Sequence, residues 1–511
     1  MIRLIKTIIS KIFNRMTILA VLILTQMAWL GLLFLRIGFY TTYTQVFFTI
    51  IAVLVALFVI YRDENPAYKL GWIVLIAILP ILGVAMYGFF GNKRPSRRLR
   101  VRILPEEEKH RKDLVQVHDL DEIQSSRLQR TMDYIAKKGP YPAWYGTRTR
   151  YYRLGDKAFP EMLADLRRAE HFIFLEYFII ANGEMWDEVH AILKEKAAAG
   201  VDVRLIFDDV GSMEKLPRNF AAQMEAEGIK TLAFNPLRPV ASLVYNNRDH
   251  RKILVIDGFI GYTGGFNIAD EYINRIVRFG HWKDSGLRLE GMAVWNFTVM
   301  FLTLWNAFRP TEEDFSPYHP HVWHPESFDS DGFVQPFSDS PLDDENLGEN
   351  TYLEIITQAE DYVYLYTPYL IPDNEMVAAL TLAAKRGVDV RIVTPGIPDK
   401  KLIYRLTRSY YRPLLKAGVR IYEYTPGFIH AKSILADDRI GVVGTINMDY
   451  RSLYLHFECG TLMVGSSALR GLKEDCMATF SRSREIKAED QTFSFFGILF
   501  DAVLRVMAPL L

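Results

Sequence analysis

Two short segments carry the residue types that do chemistry. His250, Lys252 and Asp257 stand at spacings of two and five, and His430, Lys432 and Asp437 repeat those spacings 180 residues later. In an extended strand residues i and i+2 share a face, so each histidine points the same way as its lysine. The aspartate, an odd number of positions on, points the other way. Each copy then reaches a glycine-rich step ending in asparagine: GGFN to Asn267 and GTIN to Asn447, both 17 residues after the histidine. One such pattern arises by chance in a chain with 11 histidines; two with the same internal spacing do not.

The combination suits a phosphodiester. Phosphoryl transfer asks mainly for positioning and for neutralised charge on the oxygens. Two lysine ammoniums and two asparagine amides supply cation and donors in place of a metal. One imidazole can attack phosphorus and hold it covalently while the other protonates the leaving oxygen. The attacking nitrogen must be neutral, and a carboxylate on the other ring nitrogen would orient the imidazole. Glu458 in HFECG and Asp284 in WKDSG align across the copies, each two residues before a glycine, and are candidates for that task; an ordinary buried salt bridge is the alternative. Glu176 interrupts the apolar FIFLEYFII and either pairs structurally or faces a cleft. Arg248, Arg251 and Arg451 lie beside the motifs, as holders of a second phosphate or as solvated surface. Asp208 and Asp209 end a strand and read as loop caps before metal ligands.

The elements that must position these residues are themselves duplicated. FIFLEYFII (172–180) resembles VYLYTPYLI (363–371), and KAAAGVDVRLIFDD (196–209) resembles AAKRGVDVRIVTPG (383–396). DHRKILVIDGFIGYTGGFN (249–267) resembles IHAKSILADDRIGVVGTIN (429–447). Strands alternating with helices predict an α/β fold: two copies of one lobe, each a mixed sheet flanked by helices. The expected layout is a membrane region over 1–92, a linker over 93–140 with a helix within 119–139, lobe one over 141–309, a connector over 310–345, lobe two over 346–489 and a terminal segment over 490–511. The connector holds His319, His321 and His324, but no cysteine or nearby helix presents them to zinc. No metal or other cofactor is expected.

Composition narrows the class. There are 60 basic and 60 acidic residues, a neutral balance that argues against a nucleic-acid partner held by bulk charge. Two cysteines, Cys459 and Cys476, exclude a disulfide framework and a four-thiolate metal site, and suit a reducing compartment. Apolar residues crowd into three runs, 16–35, 44–61 and 70–90, long enough for membrane helices. Lys93, Arg94, Arg97, Arg98, Arg100 and Arg102 follow the third run and place the rest of the chain in the cytoplasm. The reading is a transmembrane helical hairpin of runs two and three, with the loop RDENPAYK outside. Arg3, Lys6, Lys11 and Arg15 also favour the inside, which three full crossings would not allow, so whether 16–35 spans stays open. The final TFSFFGILFDAVLRVMAPLL reads as an interfacial helix.

The doubled pattern resembles the phospholipase D superfamily. The phrases NRDHRKILVIDG…GYTGGFNIADEY and TPYLIPD…GFIHAKSILADD…GVVGTINMDYRS are similar to those of bacterial cardiolipin synthases, over roughly residues 45–511. The resemblance implies two lobes whose motifs meet in one cleft, a covalent phosphatidyl-histidine and no metal. It makes His250 the nucleophile and His430 the general acid, a choice that the symmetry of the motifs leaves open. It implies phosphatidylglycerol and cardiolipin as lipid partners, a bilayer around the N-terminal region and catalytic lobes at the cytoplasmic face of the cell membrane; it is silent on oligomeric state. The expected reaction passes a phosphatidyl group from one phosphatidylglycerol to another, giving cardiolipin and glycerol. A membrane-anchored hydrolase, or a transphosphatidylase using another alcohol, is the runner-up, and a non-catalytic scaffold is disfavoured by two intact motifs. One departure is visible: where the family phrase after DYRS carries asparagine, this chain has His456, which bears on the acceptor pocket more than on the chemistry.

Overall fold

Apolar runs such as FIFLEY, VRLIFD and KILVI bury both faces only inside a covered sheet. In the computed structural model they do so in two mixed sheets flanked by helices. The structure describes residues 24, 27, 40–91, 97–116, 120, 123, 125–236, 247–311, 314–490 and 494–510. Apart from Leu24 and Met27, the apolar run 16–35 lies outside them. The chain divides into two units: one of residues 1–95, 237–246 and 496–511, the other of 96–236 and 247–495.

In the first unit, α1 (Tyr40–Tyr61) is 22 residues long, about 33 Å at 1.5 Å per residue, and its segment Tyr43–Tyr61 is long and apolar enough to cross a membrane. The third apolar run departs from the expected single helix. It breaks into α2 (Pro66–Ile78) and α3 (Pro80–Phe90) at Leu79. Asn65 caps α2, with Pro66 at its first position, and Pro80 opens α3 in the same way. The two helices fold back on each other: Trp72 and Tyr87 stack edge to face with ring centroids 5.4 Å apart. A Cβ on Gly83 would lie 2.7 Å from the Ile76 backbone, so only glycine allows this approach.

The second unit holds the duplicated lobes. Lobe one contributes β1 (Thr147–Tyr152), β2 (Phe172–Tyr177), β3 (Asp202–Asp208) and β4 (Lys230–Phe234). It continues with β5 (Lys252–Ile256), β6 (Ile260–Gly264), β7 (His281–Lys283) and β8 (Gly286–Gly291). Lobe two contributes β9 (Phe333–Asp339), β10 (Tyr362–Tyr366), β11 (Asp389–Pro395), β12 (Arg420–Tyr424) and β13 (Gly427–Ile429). It closes with β14 (Ser433–Ala436), β15 (Ile440–Gly444), β16 (Glu458–Val464) and β17 (Ser483–Ile486). The first sheet runs β1-β8-β6-β5-β2-β3-β4 and the second β9-β16-β15-β14-β10-β11-β12-β17, the same order with one extra edge strand. In each, the three strands β2-β3-β4 or β10-β11-β12 are parallel and the others pair antiparallel.

Two segments outside the expected lobes carry structure of their own. The 310–345 segment is more than a connector, because its FVQPFSD is β9, fully buried and paired with β16 at the edge of the second sheet. Nor is 93–140 a free linker: the helix Arg97–His110 puts Leu99 and Ile103 into the same core as α4 (Val294–Phe308), and a second helix spans Ser126–Lys138. From Val294 to Ala307 every residue of α4 is buried. His319 and His324 pack on aromatic rings, against Trp295 and Phe328 respectively.

Candidate active site

Each sheet delivers one histidine at the entrance to an inner strand, just before β5 in lobe one and before β14 in lobe two. The lobes are stitched together at these points. His250 N donates to Phe457 O (2.9 Å), and His430 N donates to Lys283 O (2.7 Å). β7 pairs in parallel with β13 across the same boundary. The residue after each of those carbonyls is a carboxylate, so the stitching aims Glu458 at the histidine of lobe one and Asp284 at that of lobe two.

The pairing is therefore crossed. His250 Nδ1 lies 2.9 Å from both oxygens of Glu458, and His430 Nδ1 lies 2.7 Å from Asp284 Oδ2. All four side chains are buried. With Nδ1 occupied on each ring, Nε2 is the nitrogen free for chemistry. Lys252 Nζ donates to His250 O at 2.6 Å, and Lys432 Nζ donates to His430 O. Lys252 acts electrostatically on both imidazoles, lowering each.

Electrostatics sets the protonation states. Burial drives the His250 imidazole down to about 3 and that of His430 to about 4, against the pull of their carboxylates. Both rings are thus neutral at physiological pH. Burial alone would raise the carboxylates, but His430 holds Asp284, and His250 holds Glu458, below the usual range. Burial also lowers the lysines: Lys252 falls to about 8 and Lys432 to about 7. An arriving phosphodiester anion reverses that trend, restoring full charge to the ammoniums and favouring a proton on one imidazole.

The remaining candidates divide into those in the site and those beneath it. Asn267 is buried; its Oδ1 accepts from Ile179 N (3.0 Å) and its Nδ2 donates to Tyr272 Oη (2.8 Å), whose ring lies 5.4 Å from His430. Asn447 is also buried, and its Oδ1 has no hydrogen-bond partner among the described residues. Glu176 pairs with Arg251 (2.7 Å), which also holds Asp249 (3.0 Å); burial pushes the Glu176 carboxyl up against that guanidinium. Arg251, one residue from both His250 and Lys252, projects from the opposite face, so this ion pair is structural. Arg248 is spent on Asp208 Oδ1 (3.3 Å) and Asn235 O (2.9 Å), and Arg451 is exposed on the short helix Tyr450–Tyr454.

Asp257 and Asp437 leave the reacting group altogether. Each ends its strand in a turn at positive φ (48° and 53°) and accepts three backbone N–H groups at 2.8–3.0 Å: Glu170, His171 and Phe172 for the first, Glu360, Asp361 and Tyr362 for the second. They fasten the far end of the histidine strand to the start of β2 or β10. Five residues of extended chain separate them from the lysines, about 16 Å.

Other residues escaped the sequence reading. Thr445 Oγ1 donates to Glu458 Oε2, and Ser452 Oγ donates to Oε1 at 2.7 Å. At the position of Thr445, lobe one has Gly265, where a Cβ would stand 2.0 Å from Asp284 Oδ1. The contrast of GGFN with GTIN and of Asp284 with Glu458 carried this signal: the shorter carboxylate goes with the smaller neighbour. His456, the departure already visible in the sequence, lies beside His250, ring centroids 5.6 Å apart, with its Nδ1 3.8 Å from Glu458 Oε1.

Crossed imidazole–carboxylate pairs on a doubled sheet define a phospholipase D-type site, and comparison with known proteins agrees. A family profile described as "Cardiolipin synthase, PLD-like domain" matches residues 162–276 and 352–480, and "Phospholipase_D-nuclease N-terminal" matches 49–92. The cardiolipin synthase of Alkalihalophilus pseudofirmus is 32% identical over 511 residues, covering 98% of this chain and 100% of its own. Cardiolipin synthase 1 of Bacillus anthracis is 34% identical over 480 residues, covering 92% and 94%. An uncharacterized protein of Streptococcus mutans is 44% identical over 463 residues, covering 89% and 99%. The fold is shared with a phosphatidylserine synthase of Haemophilus influenzae, at TM-score 0.54, 13% identity and coverage of 75% and 97%. The chain belongs to the cardiolipin synthase family of phospholipase D-like proteins.

Proposed function

We propose that the protein is a phosphatidyltransferase that makes cardiolipin and glycerol from two molecules of phosphatidylglycerol. The observation that carries this reading is the pair of buried, neutral imidazoles, each oriented by a carboxylate of the other lobe. With the phosphodiester anion bound, His430 takes up a proton at Nε2; His250 Nε2 then attacks phosphorus, the bond to the glycerol oxygen breaks, and His430 returns to neutral by giving that proton to the departing glycerol. The product of this half is a phosphatidyl-histidine. In the second half His430 takes the proton from a hydroxyl of another phosphatidylglycerol, that oxygen attacks phosphorus, and the P–N bond to His250 breaks. Lys252, Lys432, Asn267 and Asn447 surround the phosphoryl oxygens. Each step can run backwards, so added glycerol should regenerate phosphatidylglycerol from cardiolipin.

Full-length relatives carrying the name cardiolipin synthase, and an apolar N-terminal helix, support a membrane-anchored enzyme. The basic stretch from Lys93 to Arg102 supports a cytoplasmic placement of the lobes. The test is to follow labelled phosphatidylglycerol in mixed micelles with the purified protein. Cardiolipin with equimolar glycerol is expected. Phosphatidic acid as the main product, even at high lipid density, would instead make the protein a hydrolase.

A further inference from the structure

The broken third run changes how the chain meets the bilayer. A straight helix over residues 66–90 would set Trp72 and Tyr87 about 22 Å apart, near opposite faces of the hydrocarbon. They are in contact instead, and Tyr87 Oη accepts from Arg62 Nη1 at 3.2 Å, just before α2 begins. The start of α2 and the end of α3 therefore lie together. Around them gather the interfacial side chains: Tyr68 stacks on Trp72, Arg62 pairs with Glu64 (2.8 Å), and Lys69 Nζ reaches Ile60 O (3.0 Å). The opposite end, at Ile78–Leu79, holds no charged residue. With 13 and 11 residues, α2 and α3 measure about 20 and 17 Å, short of the roughly 30 Å needed to cross.

A second contact fixes the side. α5 (Phe495–Met507) follows directly on the catalytic lobes, and its Val506 carbonyl would be 2.9 Å from a Cβ on Gly71. α5 is itself too short to cross, carries Asp501 and Arg505, and exposes Phe496, Leu499, Phe500 and Val503 in the manner of a helix lying in the interface. Gly71 is within about 8 Å of the start of α2. Had that start been on the far face, α5 would have to pass through most of the bilayer to reach it.

We propose that residues 66–90 form a re-entrant hairpin that enters the leaflet on the side of the catalytic lobes, turns at Leu79–Pro80 and leaves on the same side. The proposal rests on the membrane reading above and replaces the two-crossing hairpin of runs two and three. The chain then crosses once between Tyr40 and Gly91, and Arg62–Asn65 shares a face with the basic stretch that begins at Lys93. This also resolves the charge conflict: a crossing by residues 16–35 now puts Arg3, Lys6, Lys11 and Arg15 on that same face.

Single cysteines in the full chain test it, labelled by a membrane-impermeant maleimide in intact cells and in inverted vesicles. Cys459 and Cys476 are buried, so the unaltered chain gives the background. Asp63→Cys and Arg97→Cys should label at least tenfold more in inverted vesicles than in cells, Tyr43→Cys the reverse, and Ile78→Cys in neither. Glu64→Cys repeats the key measurement, and retained synthase activity shows that each variant is folded. Labelling of Asp63→Cys and Glu64→Cys in intact cells, with Arg97→Cys confined to inverted vesicles, would make residues 66–90 a crossing and overturn the proposal alone. Extraction of the unaltered chain from membranes by alkaline carbonate would overturn the membrane reading, and the proposal with it.

Discussion

At the scale of single residues the two imidazoles carry different burdens although their surroundings match. His250→Ala should abolish both glycerol release and cardiolipin formation, as measured by product analysis. His430→Ala should slow turnover by about 10²–10⁴-fold while phosphatidyl-enzyme still forms from a substrate with a good leaving group, read by quench and mass spectrometry. The lysines set the alkaline limit. With Lys432 near 7 and Lys252 near 8 before substrate binds, kcat/KM should fall as pH rises through about 7–8. Bound phosphodiester stabilises the ammoniums, so the limb of kcat should lie higher. The sign for stability is opposite: between about pH 7 and the ordinary lysine value the unfolded chain holds the proton that folded Lys432 has lost, so stability rises with pH in that window. Lys432→Met should flatten this slope in thermal denaturation followed against pH.

At the scale of elements, strands place the chemistry and turns brace the strands. Asp257→Ala frees three backbone N–H groups and should cost about 2–3 kcal/mol, seen as a lower urea midpoint, while the molecules that remain folded keep their kcat. Gly265→Ala should strike the site itself, displacing Asp284 and crowding the His430 carbonyl, lowering kcat about a hundredfold and costing about 1–3 kcal/mol of stability. The alternation read from His250 and Lys252 matches their contacts, since Lys252 reaches the His250 carbonyl while Arg251 between them turns to Glu176, and the doubled phrases foretell two copies of one mixed sheet. The same rule turns Asp257 away from the lysine face, but residue type suggested catalysis where backbone capping is the role; only the turn at positive φ tells them apart. β9 hides in a stretch rich in proline and aspartate, since an edge strand tolerates Pro336 where an inner strand would not. The fold-back at Leu79 was out of reach for hydropathy, which counts apolar residues without sensing that Gly83 lets two helices touch.

For the whole catalytic unit, the crossed pairs mean that a lesion in one lobe disables the histidine of the other. Asp284→Asn should behave like a loss of His430, and Glu458→Gln like a loss of His250, each lowering kcat on the order of 10³-fold. Single-turnover labelling separates them: Glu458→Gln should accumulate no phosphatidyl-enzyme, whereas Asp284→Asn should still form it slowly. If each carboxylate instead impaired the histidine of its own lobe, the crossed arrangement would be refuted.

The crossing also governs what a half-made chain can do. His250 leaves the ribosome 208 residues before Glu458, an interval of about 10–40 s at ordinary elongation rates. During that time the first lobe can fold around a nucleophile whose orienting carboxylate does not yet exist. On the proposed membrane anchoring, such a polypeptide would meet a bilayer full of phosphodiesters yet should stay inert until synthesis is nearly over. With His250 as the proposed nucleophile, chains cut short before residue 458 lack its orienting carboxylate and should not load themselves with lipid that they have no second lobe to discharge.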